Sequence, residues 1–88
     1  MADHLHLRVY TPERTLADDD VREVTAPAVD GEIGVLPDHA ALLTALAPGV
    51  LSYKADRGVV KLQIGSGFAE VLDNVMTVLA DSGEVARA

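Results

Sequence analysis

Alternation with a period of two runs through most of this chain. Leu5, Leu7 and Val9 fall on one side of a segment whose other side is His4, His6, Arg8 and Tyr10, which predicts a half-buried strand over His4 to Thr11. Pro12 has no amide hydrogen for a ladder and ends it. Thr15 to Asp18 resumes as a short strand, and the run Asp18-Asp19-Asp20 predicts the turn of a hairpin into a second β-rich stretch, Val21 to Pro27. Asp30-Gly31 predicts another turn, because glycine accepts positive φ without steric cost. Ile33 to Leu36 is an apolar run too short for a helix, closed by Pro37-Asp38, and its Gly34 predicts a bulge or a close backbone approach.

Between Asp38 and Pro48 the pattern is ambiguous. Leu42, Leu43 and Leu46 with Ala41 and Ala45 have helical spacing, and Asp38 is a suitable cap. Beyond Pro48-Gly49 the reading returns to strands: Gly49 to Ala55, a turn at Asp56-Arg57-Gly58, and Val59 to Ile64. Phe68 to Leu72 and Val75 to Ala80, divided by Asp73-Asn74, form a second hairpin. Short strands with turn signals every 8–12 residues or so describe an all-β, antiparallel sandwich. Residues 1–81 are read as that domain. Residues 82–88, which lack apolar periodicity, are read as a short frayed tail.

Composition narrows what such a sandwich does. With 88 residues, the chain forms one small domain that leaves little room for a deep catalytic cleft. The 14 acidic residues against 7 basic ones give a net charge of −7, which opposes nucleic-acid phosphates and anionic lipid. The absence of cysteine removes disulfides, thiolate zinc sites and thiol nucleophiles. The N-terminus has neither the basic region nor the continuous apolar region of a signal peptide. The uncharged stretch from His39 to Tyr53 is too short for a membrane helix and is broken by Pro48-Gly49.

Candidate chemistry is sparse. His4 and His6 share one side of a strand, far in sequence from His39 and without cysteine or tightly spaced carboxylates, so they read as solvent-facing residues rather than a zinc pair. Asp38-His39 reads as a turn beside an exposed histidine, since no nucleophile motif accompanies it. Gly31-Glu32-Ile33-Gly34 and Gly65-Ser66-Gly67 lack the lysine and the helix context of a phosphate loop. The Asp18–Asp20 run lacks the alternating ligands of a calcium loop. The expectation is no catalytic residue, no cofactor and no metal. The leucines around Leu42 to Leu46 read as core, with one edge left exposed for docking.

The stretch from Gly31 to Val50 resembles the epsilon subunit of F-type ATP synthase, called delta in mitochondria. The resemblance rests on Gly31-Glu32-Ile33-Gly34, Pro37-Asp38-His39-Ala40, Leu42-Leu43-Thr44-Ala45 and Pro48-Gly49. It extends to the opening strand around His4-Leu5-His6-Leu7 and to the closing segments Gly65 to Val71 and Asn74 to Asp81. Asp38 and Ala41 depart from the glycine and proline common there. The resemblance implies a sandwich of about ten strands that binds the gamma subunit and the membrane c-ring. It also implies a non-catalytic rotor role coupling proton flow to ATP synthesis, peripheral on the cytoplasmic face of a bacterial inner membrane and without direct insertion. Carried over by position, Asp30, Gly31 and Glu32 face the c-ring, and Thr11, His39, Leu43 and Thr44 meet gamma. The resemblance also implies a following helical hairpin, to which the family owes inhibition and ATP sensing, and neither activity is expected of the residues read here. The residues taken alone also fit a free-standing sandwich adaptor or ligand-binding module. A small metallo-hydrolase using His4, His6 and His39 is a third reading.

Overall fold

A computed structural model describes residues 2–86. Ten strands follow one another: β1 (Leu5–Tyr10), β2 (Thr15–Val21), β3 (Glu23–Ala28), β4 (Gly31–Val35), β5 (Leu42–Leu46), β6 (Gly49–Ala55), β7 (Gly58–Ile64), β8 (Gly67–Leu72), β9 (Val75–Ala80) and β10 (Gly83–Val85). They form two layers of five. One is ordered β10-β7-β6-β3-β4 and the other β5-β8-β9-β1-β2, and β3 joins them through a single bridge between Ala28 and Leu46. The joint is reinforced where the Val29 amide donates to the Ala45 carbonyl at 3.1 Å and the Ala47 amide to the Pro27 carbonyl at 2.8 Å. Among the described residues every strand pairing is antiparallel except that of β1 with β9, which is parallel.

Alternation decides which side of each strand enters the core. Leu5, Leu7 and Val9 of β1 are buried in one core cluster with Met76 and Val78 of β9, Leu51 of β6 and Leu62 and Ile64 of β7. Burying a side chain of this size contributes about 1.5–3 kcal/mol, so a dozen of them supply most of the drive for closing the layers. Among the described residues the buried side chains are apolar apart from the Tyr53 phenol, and no fully buried side-chain nitrogen or oxygen is left without a hydrogen-bond partner.

The sandwich and its hairpins stand where the alternation puts them, and several local readings are corrected. The acidic run is not a turn. Asp18, Asp19 and Asp20 lie within β2, which pairs with β1 rather than forming a hairpin with β3. Their charges are met from elsewhere in the fold: His6 and Arg8 face Asp18 and Asp20, and Arg57 reaches Asp19 at 2.9 Å. The helical alternative over Asp38 to Pro48 gives way to β5, held by its ladder with β8. Asp38 does not cap a helix; it turns the chain at φ 64°. Gly34 pairs in regular register with Thr25, without the expected bulge or close approach. The tail expected over 82–88 is partly ordered, since Gly83–Val85 adds β10 to the edge of β7. Residues 87 and 88 lie outside the described residues.

Asn74 ties three segments together. Asp73 and Asn74 both have positive φ, at 49° and 63°, which suits a two-residue hairpin loop matched to strand twist. The Asn74 side-chain amide donates to the His4 carbonyl at 2.8 Å, and its oxygen accepts the Asp38 amide at 2.9 Å. The turn thus clamps the start of β1 to the β4–β5 connection. Replacing Asn74 with alanine removes both bonds and strains the left-handed backbone, and is expected to cost about 1.5–3 kcal/mol in urea unfolding. Asn74→Gly, which relieves only the strain, should recover a minor part of that loss.

Candidate functional site

The outward side of the β5-β8-β9-β1 layer carries two rows set by strand register. One row runs Ala45, Phe68, Leu79, Tyr10, and the next runs Leu43, Glu70, Thr77, Arg8. The first is apolar across four strands. Phe68 and Leu79 are 60% and 55% exposed, and Leu43 in the neighbouring row is 72% exposed. Val29, 57% exposed in the β3–β4 turn, faces the same region from the other layer. Together Val29, Ala45, Phe68 and Leu79 line a shallow open groove, floored by Gly67 and Ala80 and bordered by Asp81. Scattered exposed apolar residues need no explanation, but a contiguous set spanning both layers marks an interaction surface.

The acidic turn adjoins this groove. Asp30 stands at its tip, Gly31 takes φ 127° as β4 begins, and Glu32 pairs with Pro27. All three residues are exposed. Val29 belongs to the same turn and lines the groove, so Asp30 follows directly on its border, while Glu32, paired with Pro27, lies on the outward side of the β3–β4 layer.

The residues carried over for the other contact are more dispersed. Thr11 follows Tyr10 at the groove end of β1, and its hydroxyl accepts the Arg14 amide at 3.2 Å. Leu43 points outward beside the groove, whereas Thr44 turns to the inner side of β5, half-buried, across from Ala69. His39 lies in the β4–β5 connection next to Asp38, whose amide is bound by Asn74, at the opposite end of β1 from Thr11. Six strand residues put those ends roughly 20 Å apart. The structure therefore groups Thr11, Leu43 and the Asp30–Glu32 turn around the groove and sets His39 apart. Phe68, Leu79, Val29 and Tyr10 belong to this surface without having been singled out in the sequence. Their signal is present in β8 and β9, where Phe68 and Leu79 occupy outward positions opposite the buried register of Ala69, Val71, Met76 and Val78.

Polar groups concentrate away from the groove. His4 Nε2 and Arg22 Nε lie 3.1 and 2.6 Å from the same Asp56 oxygen, and these bonds, that of His4 foremost, hold the Asp56 carboxyl below its usual range. The His6 ring sits between Asp20 and Asp18, whose hydrogen bonds raise its pKa. The two imidazole nitrogens point in divergent directions, so carboxylates bound one to each cannot converge on a common ion. Among the described residues no three His, Cys, Asp or Glu side chains are disposed to hold a metal. Asp38 accepts the Ala2 amide at 2.8 Å while the His39 ring turns to the Ala40 carbonyl at 2.6 Å, so each member of that pair has another partner. No helix among the described residues is long and apolar enough to cross a membrane.

The sandwich as a whole is matched closely in proteins already known. Residues 4–86 match the family described as ATP synthase, Delta/Epsilon chain, beta-sandwich domain. An ATP synthase epsilon chain of Carboxydothermus hydrogenoformans is 46% identical over 84 residues, covering 96% of this chain and 63% of the relative. Its counterpart in Desulfosudis oleivorans is 50% identical over 86 residues, covering 96% and 64%. This chain thus spans a little under two thirds of the relatives it matches. Among solved structures, a chain in the cryo-EM structure of the Euglena gracilis mitochondrial ATP synthase, OSCP/F1/c-ring, superposes with a TM-score of 0.88 at 26% identity, over 97% of this chain and 55% of that one. The family match and the similarity to these relatives extend over nearly the whole chain, and the chain belongs to the ATP synthase delta/epsilon beta-sandwich family.

Proposed function

We propose that this domain is a non-catalytic part of the central stalk of an F-type ATP synthase, binding the gamma subunit and the c-ring so that rotation passes between them without slip. The observation that carries the reading is the exposed apolar groove, on whose border the acidic turn begins at Val29. One surface offers desolvation to a folded partner through Val29, Phe68, Leu79 and Leu43. The adjacent carboxylates of Asp30 and Glu32 offer pairing to basic loops. A closely packed β core suits the task, since it deforms little under load. In this reading the groove and Leu43 meet gamma, with Thr11 at the rim, and the Asp30-Gly31-Glu32 turn meets the c-ring. His39 and Thr44 join the gamma contact only if gamma wraps the edge of β5. The domain works at the cytoplasmic face of the membrane through its partners. Inhibition and ATP sensing are not assigned to the sandwich.

Reconstitution tests this reading. Mixed with gamma and detergent-solubilised c-ring, the protein is expected to elute as one ternary complex; elution apart from both would dismiss the proposal. Glu32→Lys should weaken capture by the c-ring by no more than about fivefold, because a single exposed ion pair is worth about 0–1 kcal/mol. The difference should fade as salt rises from 0.05 to about 0.5 M, where the screening length falls below roughly 5 Å. The gamma contact should be left unchanged.

A further inference from the structure

The outer face of β1 and β2 holds an arrangement that the coupling role does not use. His6 Nδ1 lies 2.7 Å from Asp20 and Nε2 lies 2.5 Å from Asp18. A neutral imidazole has one N–H and one bare lone pair, so it can satisfy only one of two flanking carboxylates; the other would meet lone pair against lone pair. Two contacts this short need two donors, and only the imidazolium has them. We propose that His6 is a proton-dependent clasp: as an imidazolium between Asp18 and Asp20 it fastens the edge strand β2 to β1, and on losing its proton it loosens that strand.

Topology makes the clasp consequential. Among the described residues β2 ends the strand order, with β1 as its only ladder partner. Its three consecutive aspartates repel one another unless neutralised, and two different elements meet them. From β1, His6 joins Asp18 and Asp20, and Arg8 reaches Asp18 at 4.0 Å. From the β6–β7 turn, Arg57 takes Asp19. His4, the other histidine on this side of β1, is engaged with Asp56, which it shares with Arg22, and does not compete. β9 flanks β1 on its other side and sets Val75 and Thr77 beside His6 and Arg8, with Asp73 in the turn before it. With His6 protonated, His6 and Arg8 balance Asp18 and Asp20; without that proton, one negative charge is left on the β2 edge.

The sign follows from the same geometry. Hydrogen bonds from Asp20 and Asp18 raise the His6 pKa above the ordinary histidine value. The clasp is therefore fully closed below about pH 6.5, the unfolded value, and opens as pH rises through the folded pKa. Nitrogen-15 spectra of the His6 ring in the intact protein test this. Both nitrogens should be protonated at pH 6.5, the midpoint should lie above that of a blocked histidine peptide, and it should fall towards the peptide value in Asp18→Asn/Asp20→Asn. Amide exchange across Asp18 to Val21, corrected for its intrinsic pH dependence, should quicken up to about fivefold between pH 6 and 9 while β9 stays unchanged. A neutral tautomer at pH 6.5, or a wild-type midpoint at or below the peptide's, would overturn the proposal. That wild-type measurement stands even if the double variant fails to fold.

Discussion

Gly67→Ala is expected to destabilise the domain by about 3 kcal/mol or more, read as a fall in the urea midpoint at unchanged slope. A Cβ at this position would sit 2.0 Å from the Leu79 carbonyl oxygen and 2.8 Å from the Ala80 Cα. Both obstacles are backbone, and both belong to the ladder in which Gly67 pairs with Ala80 on one side and Leu46 on the other. To admit a methyl group, β9 has to move away from β8, which disturbs the parallel contact with β1 beyond it. A domain of this size has a total stability of roughly 4–13 kcal/mol, so the loss is a large fraction of it. Gly65→Ala provides the contrast. Its added Cβ meets the ends of Asp81 and Ser82, side chains that can rotate aside, and the expected cost is about 1 kcal/mol. A Gly67→Ala protein within 1 kcal/mol of wild type would show that β8 and β9 are not packed as described.

The second large effect concerns binding. Phe68→Glu and Leu79→Glu alter exposed positions, so each should change stability by about 0.5 kcal/mol or less. In the proposed complex with gamma, however, either carboxylate would be buried in the groove without a partner. Central apolar anchors of an interface are worth about 2–4 kcal/mol, so each substitution should weaken gamma binding by roughly 30- to 1,000-fold. Val59→Glu is the control. Val59 is 58% exposed, much like Phe68, but stands on β7 in the other layer, and its substitution should leave gamma binding within about twofold. Equal losses at Phe68 and Val59 would mean that the groove is not the contact.

The contrast between these positions shows what could be read from the chain. The strands β1, β6, β7, β8 and β9 follow from strict alternation and from turn residues placed where a hairpin needs them, such as Asp73-Asn74. Local information suffices there because the partner is the next strand. β2 is different: three adjacent aspartates describe a solvated turn until His6, Arg8 and Arg57 arrive from other elements to neutralise them. β5 is different again, since its alanine and leucine content favours a helix and only the ladder with β8 overrides that preference. The acidic turn was visible from Asp30-Gly31, and the resemblance to a known family attached a contact to it. The groove was not, because it depends on Val29 in one layer meeting Phe68 and Leu79 in the other. No single segment carries that juxtaposition; it exists only through the joint between Ala28 and Leu46.

The central claim is that this sandwich is held on gamma through that groove. Isothermal titration of gamma with the intact protein, set beside the Phe68→Glu variant, tests it most directly. The expected result is a one-to-one complex at micromolar concentration or tighter, with a negative heat-capacity change from apolar burial that is lost together with affinity in Phe68→Glu. No binding heat and separate migration at micromolar concentration, or wild-type affinity in the variant, would contradict it.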